Sequence, residues 1–118
     1  MPKYMFVYRG GHEGMEHTSP EEMQQVMQRW MDWIHAGIEA GWMLDGGAAL
    51  KPEGAIVNPD LSVFDGPFTE SKELVGGYSM VEASDLAAAI ELAKSSPMPQ
   101  SGGTVEVREL PNLGMQNE

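Results

Sequence analysis

Residues 3–9, KYMFVYR, alternate two sets of side chains, and both sets are apolar: Tyr4, Phe6 and Tyr8 on one face, Met5 and Val7 on the other. That pattern predicts a strand covered on both faces. From Pro20 the period changes. Met23, Val26, Met27, Trp30, Ile34 and Ile38 recur at three- and four-residue spacing, which predicts a helix over 20–40. Ser19 stands as its N-cap, Pro20 at its first position, Glu22 three residues after the cap, and Gly41 at its end. Gln24, Gln28, Asp32 and Glu39 fall on the opposite, solvated side. Met31 and Trp33 widen the stripe. Trp30 and Trp33 cannot both point to the centre of one narrow stripe, so one of them is expected to line a pocket or a dimer seam.

The remaining segments read in the same way. WMLDGGAAL (42–50) is extended, and GAIVNPDLSVFDG is a hairpin with turn chemistry at Asn58-Pro59-Asp60. VGGYSMVEA (75–83) is a strand. Ser84 is expected to cap a second helix with Leu86, Ala89, Ile90 and Ala93 inward, stopped by Pro97. In TVEVREL (104–110), Val105 and Val107 point inward and Glu106 and Arg108 outward. The order gives an α+β class: a ferredoxin-like βαββαβ antiparallel sheet, two helices on one face, and a hairpin insertion. Helices cover one sheet face only. The other is expected to meet a second copy in a two-fold dimer, so a homodimer is the expected assembly. A single domain is expected over 1–110, with a flexible tail at 111–118.

Charge then narrows the partners. Seven Lys and Arg against eighteen Asp and Glu give a net charge of −11, with the cations scattered. Phosphate backbones and anionic membrane surfaces need clustered cations, so no nucleic acid and no membrane partner is expected. There is no cysteine, which removes disulfides and thiolate metal sites. Without a signal-peptide pattern or about 18 uninterrupted apolar residues, the expected location is cytoplasmic.

With its elements placed, the chain resembles the YCII-related family, in particular its DGPF-domain branch, a group of dimeric α/β-barrel proteins. The resemblance rests on KYMFVYRG, SPEEM leading into WMDWIHAGIEAGWMLDGGAAL, FDGPFTESKELVGGYSMVEASDLAAAIELAKSSP, and GGTVEVREL. It implies a ferredoxin-like fold and dimerisation, and leaves activity open, since family members are mostly uncharacterised. A related branch is associated with a histidine near the start of the first helix and an aspartate before a proline after the second. Counted from Gly41 and Pro97, those places hold Trp30 and Ser96 here. An acid–base pair of that kind is absent.

Candidate chemistry is confined to a few residues. Asp65, ahead of Gly66-Pro67, can accept backbone hydrogen bonds as the hub of a turn, or stand at a cleft as general base. His35, at the margin of the helical stripe, is the candidate proton-transfer partner. Arg9 and Arg108 are candidates to hold a small anionic molecule, or to pair with Glu106 or a partner-chain acid. Trp30, Phe68 and Lys72 complete the ligand-binding candidates, the cleft being expected between the sheet, the first helix and residues 65–73. His12-Glu13 and Glu16-His17 miss the H-E-x-x-H spacing by one position, so no metal is expected. None of the Gly-Gly pairs fits a phosphate loop, and no organic cofactor is expected. Three functions remain open: a cofactor-free small-molecule enzyme using Asp65 and His35, a non-catalytic ligand-binding or protein-interaction dimer, or a purely structural dimer.

Overall fold

A computed structural model describes residues 1–10, 19–51, 53–65 and 74–112. In order these form β1 (Lys3–Arg9), α1 (Pro20–Ala40), β2 (Met43–Asp45), β3 (Ala55–Val57), β4 (Val63–Asp65), β5 (Val75–Glu82), α2 (Leu86–Ser95), a 3₁₀ turn (Pro99–Ser101) and β6 (Thr104–Glu109). β2, β5, β1 and β6 lie in that spatial order in one sheet with antiparallel pairings, while β3 and β4 form a separate two-stranded hairpin.

The long helix begins and ends where its sequence says it should. The Ser19 hydroxyl accepts from the Glu22 amide at 3.2 Å, and Gly41 closes the helix at φ 89°, a left-handed conformation glycine adopts without strain. The buried face is rotated from the expected one. Trp33 and Gly37 are its buried residues, whereas Met27 and Ile38 are 54% and 56% exposed. Close packing explains the rotation: Gly37 lets Trp42 and Met43 lie against the helix backbone, and Trp33 fills the space beside them. α2 also departs from expectation, since its cap is Asp85, accepting from the Ala88 amide at 2.8 Å, and not Ser84. Its inner face is Ala88, Ala89, Leu92 and Ala93; Leu86 and Ile90 are exposed.

Tyr4, Phe6 and Tyr8 of β1 and Val81 of β5 join Trp33, Ala89 and Ala93 in one buried cluster, with Val105 and Val107 packed against it. Both helices therefore serve the same sheet face. Trp33 ties them together by donating from its indole nitrogen to the Ser95 hydroxyl at 2.9 Å. Register pairs Met5 with Met80 and Arg108, and Val7 with Tyr78 and Glu106, so these side chains share the opposite face. Met5, Val7, Tyr78 and Met80 there are only partly buried.

Residues 42–50 form less strand than the pattern predicts. Regular pairing stops at Asp45, because Gly47 turns the chain at φ 77° and the Asp45 carboxylate accepts from the Gly47 amide at 2.8 Å. The segment then returns to β5 through an isolated bridge between Ala49 and Gly77. The hairpin forms as expected, closed by hydrogen bonds from the Asn58 amide to the Ser62 carbonyl and from the Leu61 amide to the Asn58 carbonyl, both 2.8 Å. Its Ile56, Val57, Val63 and Phe64 are all exposed. Among the described residues no helix is long and apolar enough to cross a membrane.

Candidate functional site

A cleft of about 680 Å³ opens between the first half of α1, the end of β1, the start of β5, the 46–50 strap and the 3₁₀ turn. Tyr8, Trp30, Ile34 and Met98 supply its apolar lining. Helical spacing builds one wall: Glu22, Val26, Arg29 and Trp30 recur at three- and four-residue intervals along α1 and all reach the cleft. The Tyr8 ring meets Trp30 edge-on, centroids 4.9 Å apart at 70°, and Trp30 meets Trp33 in the same manner at 5.9 Å and 88°. The rings thus brace one another from the core outward. Trp33 is the core member of the pair, and Trp30 the cleft member.

The strap forms the opposite wall. The Leu50 amide donates to the Gly76 carbonyl at 2.8 Å, and the Tyr78 amide to the Ala48 carbonyl at 3.3 Å. This approach requires glycine, because a Cβ at Gly47 would collide with the Tyr78 carbonyl, and one at Gly77 would sit 2.8 Å from the Ala48 carbonyl oxygen.

Polar chemistry in the cleft is a short relay. The Tyr8 hydroxyl donates to the Ser79 hydroxyl at 2.9 Å, which donates to the Gly46 carbonyl at 2.9 Å. Burial pushes the Tyr8 phenol up to about 12, against a smaller opposing effect of the Ser79 hydrogen bond. Tyr8 is therefore neutral at any physiological pH, with its oxygen lone pairs left as acceptors. The relay thus places neutral hydrogen-bonding groups beside the Tyr8 and Trp30 rings.

The chain matches the YCII-related domain over residues 4–112, nearly its full length. It belongs to the YCII-related family. No curated protein matches it in sequence.

In this YCII-related chain the sequence-predicted residues are dispersed. Of them, Trp30 lines the cleft. His35 is exposed on α1, and Asp65 is exposed at the end of β4, opposite Ala55; neither lines the cleft. Arg9 and Arg108 lie on the other sheet face and both bind Glu106, Arg108 at 3.0 Å. These ion pairs hold the Glu106 carboxyl below the usual range, with Arg9 the larger influence. Phe68, Lys72, the Gly66-Pro67 turn and the His12–His17 loop lie outside the described residues. Among the described residues no cluster of three or more histidine or carboxylate groups is arranged to hold a metal.

The residues that reasoning from sequence missed are Tyr8, Ser79, Arg29 and the strap. One signal pointed to them: Gly46-Gly47 and Gly76-Gly77 interrupt two segments that otherwise read as strands, and glycine inside a strand marks close backbone approach.

Proposed function

We propose that this YCII-related chain is a non-catalytic ligand-binding domain that takes a small planar aromatic molecule in the cleft between α1 and the 46–50 strap. The observation that carries the reading is the pairing of the Tyr8–Trp30 ring edge with the neutral Tyr8–Ser79 relay inside a cleft of about 680 Å³. That size lies within the range of small-molecule sites, and an apolar lining with a few fixed polar groups is their usual composition. Acid–base catalysis is less well supported, because His35 and Asp65 stand outside the cleft and Tyr8 does not ionise near neutrality.

The assembly proposed with it is a two-fold dimer. The strand order β2-β5-β1-β6 agrees with a ferredoxin-like sheet, and the DGPF segment with that branch of the family. Met5, Val7, Tyr78 and Met80 then form the apolar centre of a face that a second copy covers, as in a dimeric α/β barrel. Arg9, Glu106 and Arg108 supply charges of both signs at its margin, which suits a self-complementary seam.

The test is a thermal-shift and tryptophan-fluorescence screen with one- and two-ring aromatic compounds, on wild type and Trp30→Ala, with the mass of the assembly measured by light scattering. Binding that raises the melting temperature of wild type and is lost in a folded Trp30→Ala supports the cleft. A screen without a single hit refutes it. A monomer mass refutes the dimer and leaves the cleft standing.

A further inference from the structure

We infer that the cleft selects an aromatic acid, and that Arg29 is the residue that reads the anionic end. The inference rests on the cleft being a ligand site, as proposed above, and adds the chemical class of the ligand.

The cations that carry a described ion pair, Arg9, Lys94 and Arg108, all lie outside the cleft lining. In a chain of net charge −11, carboxylates greatly outnumber guanidinium and ammonium groups. Arg9 and Arg108 share Glu106, and Lys94 pairs with Glu91 at 3.0 Å. Arg29 lines the cleft, yet it forms no ion pair or side-chain hydrogen bond with any described residue. It precedes Trp30 on α1, about 100° around the helix, so it stands beside the ring that closes the cleft. A guanidinium presents donors in a planar fork that matches a carboxylate, which makes an unpaired arginine beside an aromatic wall suited to an acid carried on a flat ring.

The rest of the rim gives the site a direction. Glu22 also lines the cleft, seven residues before Arg29 and so about 10 Å away along the helix axis. It disfavours a second acid at that end. Gln25 between them on α1 and Gln100 on the 3₁₀ turn also line the cleft, with amides that carry no net charge. A ligand with one carboxylate therefore has one preferred orientation: ring against Tyr8 and Trp30, acid towards Arg29, and any neutral polar group towards Glu22.

Calorimetric titration with 2-naphthoate and its uncharged analogue 2-naphthamide, at low salt, on wild type and Arg29→Gln, tests this. Arg29 is exposed, so the variant should keep the fold, which circular dichroism checks. The expected result is that wild type binds the naphthoate about tenfold more tightly than the amide, and that Arg29→Gln removes the difference by weakening the naphthoate far more than the amide. Chemical-shift changes at Gly46, Gly47 and Gly76 should locate both ligands in the cleft. Equal affinity for the two compounds in wild type, or a preference that survives Arg29→Gln, overturns the role of Arg29 and leaves the cleft intact. If neither compound binds, or both perturb residues elsewhere, the cleft reading falls and this inference with it.

Discussion

Replacing Tyr8 with phenylalanine removes one oxygen from the cleft and should change stability in two separable ways. At neutral pH the variant loses the hydrogen bond to Ser79, whose own bond to the Gly46 carbonyl is retained. A buried hydrogen bond of this kind is worth about 1 kcal/mol net, so Tyr8→Phe should be destabilised by about that amount. The alkaline limb is more diagnostic. Tyr8 is only 6% exposed, and burial pushes its phenol up to about 12. The native state therefore keeps this proton where the unfolded chain, ionising near the ordinary value of about 10, has lost it. Its contribution is fully present below the unfolded value and is lost as pH rises towards the folded one.

By about pH 11, one pH step above the unfolded value, wild type should have lost about 1.4 kcal/mol that the variant keeps, since a tenfold change in proton concentration is worth about that much per proton. Urea unfolding followed by tryptophan fluorescence, at neutral pH and at steps up to about pH 11, gives both numbers. Tyr4 and Tyr78 are common to the two proteins and cancel in the difference. Wild type should lead by about 1 kcal/mol at neutrality, and the variant should overtake it shortly below about pH 11, where the loss of about 1.4 kcal/mol exceeds that lead. Two curves that stay parallel over the whole range would mean the Tyr8 hydroxyl is not buried in the manner described, and the neutral relay in the cleft would have to be abandoned.

Gly47→Ala should cost at least about 2 kcal/mol, because a left-handed conformation and a collision with the Tyr78 carbonyl act together, and should lower the melting temperature by about 8 °C. Trp33→Ala should cost about 3–5 kcal/mol by emptying the core and releasing the bond to Ser95, as measured by chemical denaturation. Glu106→Gln should flatten the acid limb of the stability profile: Arg9 and Arg108 lower the native carboxyl, so its contribution is present above the ordinary glutamate range and lost as pH falls through the folded value. Acid titration of wild type and variant, followed by circular dichroism, should show the two curves converging at low pH.

The elements were legible because each carries a local signal. Ser19, Pro20 and Gly41 bound the first helix as their chemistry requires, and the alternation in β6 gives its correct inner face, Val105 and Val107. What periodicity could not give is which side of a wide apolar stripe is buried. Met27 and Ile38 fit the pattern as well as Trp33 does, and the choice is made by Gly37, whose missing side chain admits Trp42. The cleft was harder to read for a related reason. Its walls are formed by absent side chains at Gly46, Gly47, Gly76 and Gly77, and hydrophobic periodicity does not register an absence. Charge attracted attention instead, towards Arg9 and Arg108, which the register sends to the other sheet face.

That separation of the two sheet faces bears on what kind of site this chain can carry. On one face Arg9 and Arg108 share the Glu106 carboxylate, away from the cleft. On the other, β1 contributes a tyrosine whose proton is held too tightly for acid–base work, and β5 contributes a serine already committed as a donor to Gly46. Rigid rings, a backbone wall that only glycine permits, and hydroxyls with fixed donor directions fix the shape of a pocket, and neither the Tyr8 nor the Ser79 hydroxyl gives up a proton near neutrality. That arrangement is what supports the proposed binding role. Arg29, which pairs with no other described residue and lines the same cleft, is suited to holding charge and not to transferring it.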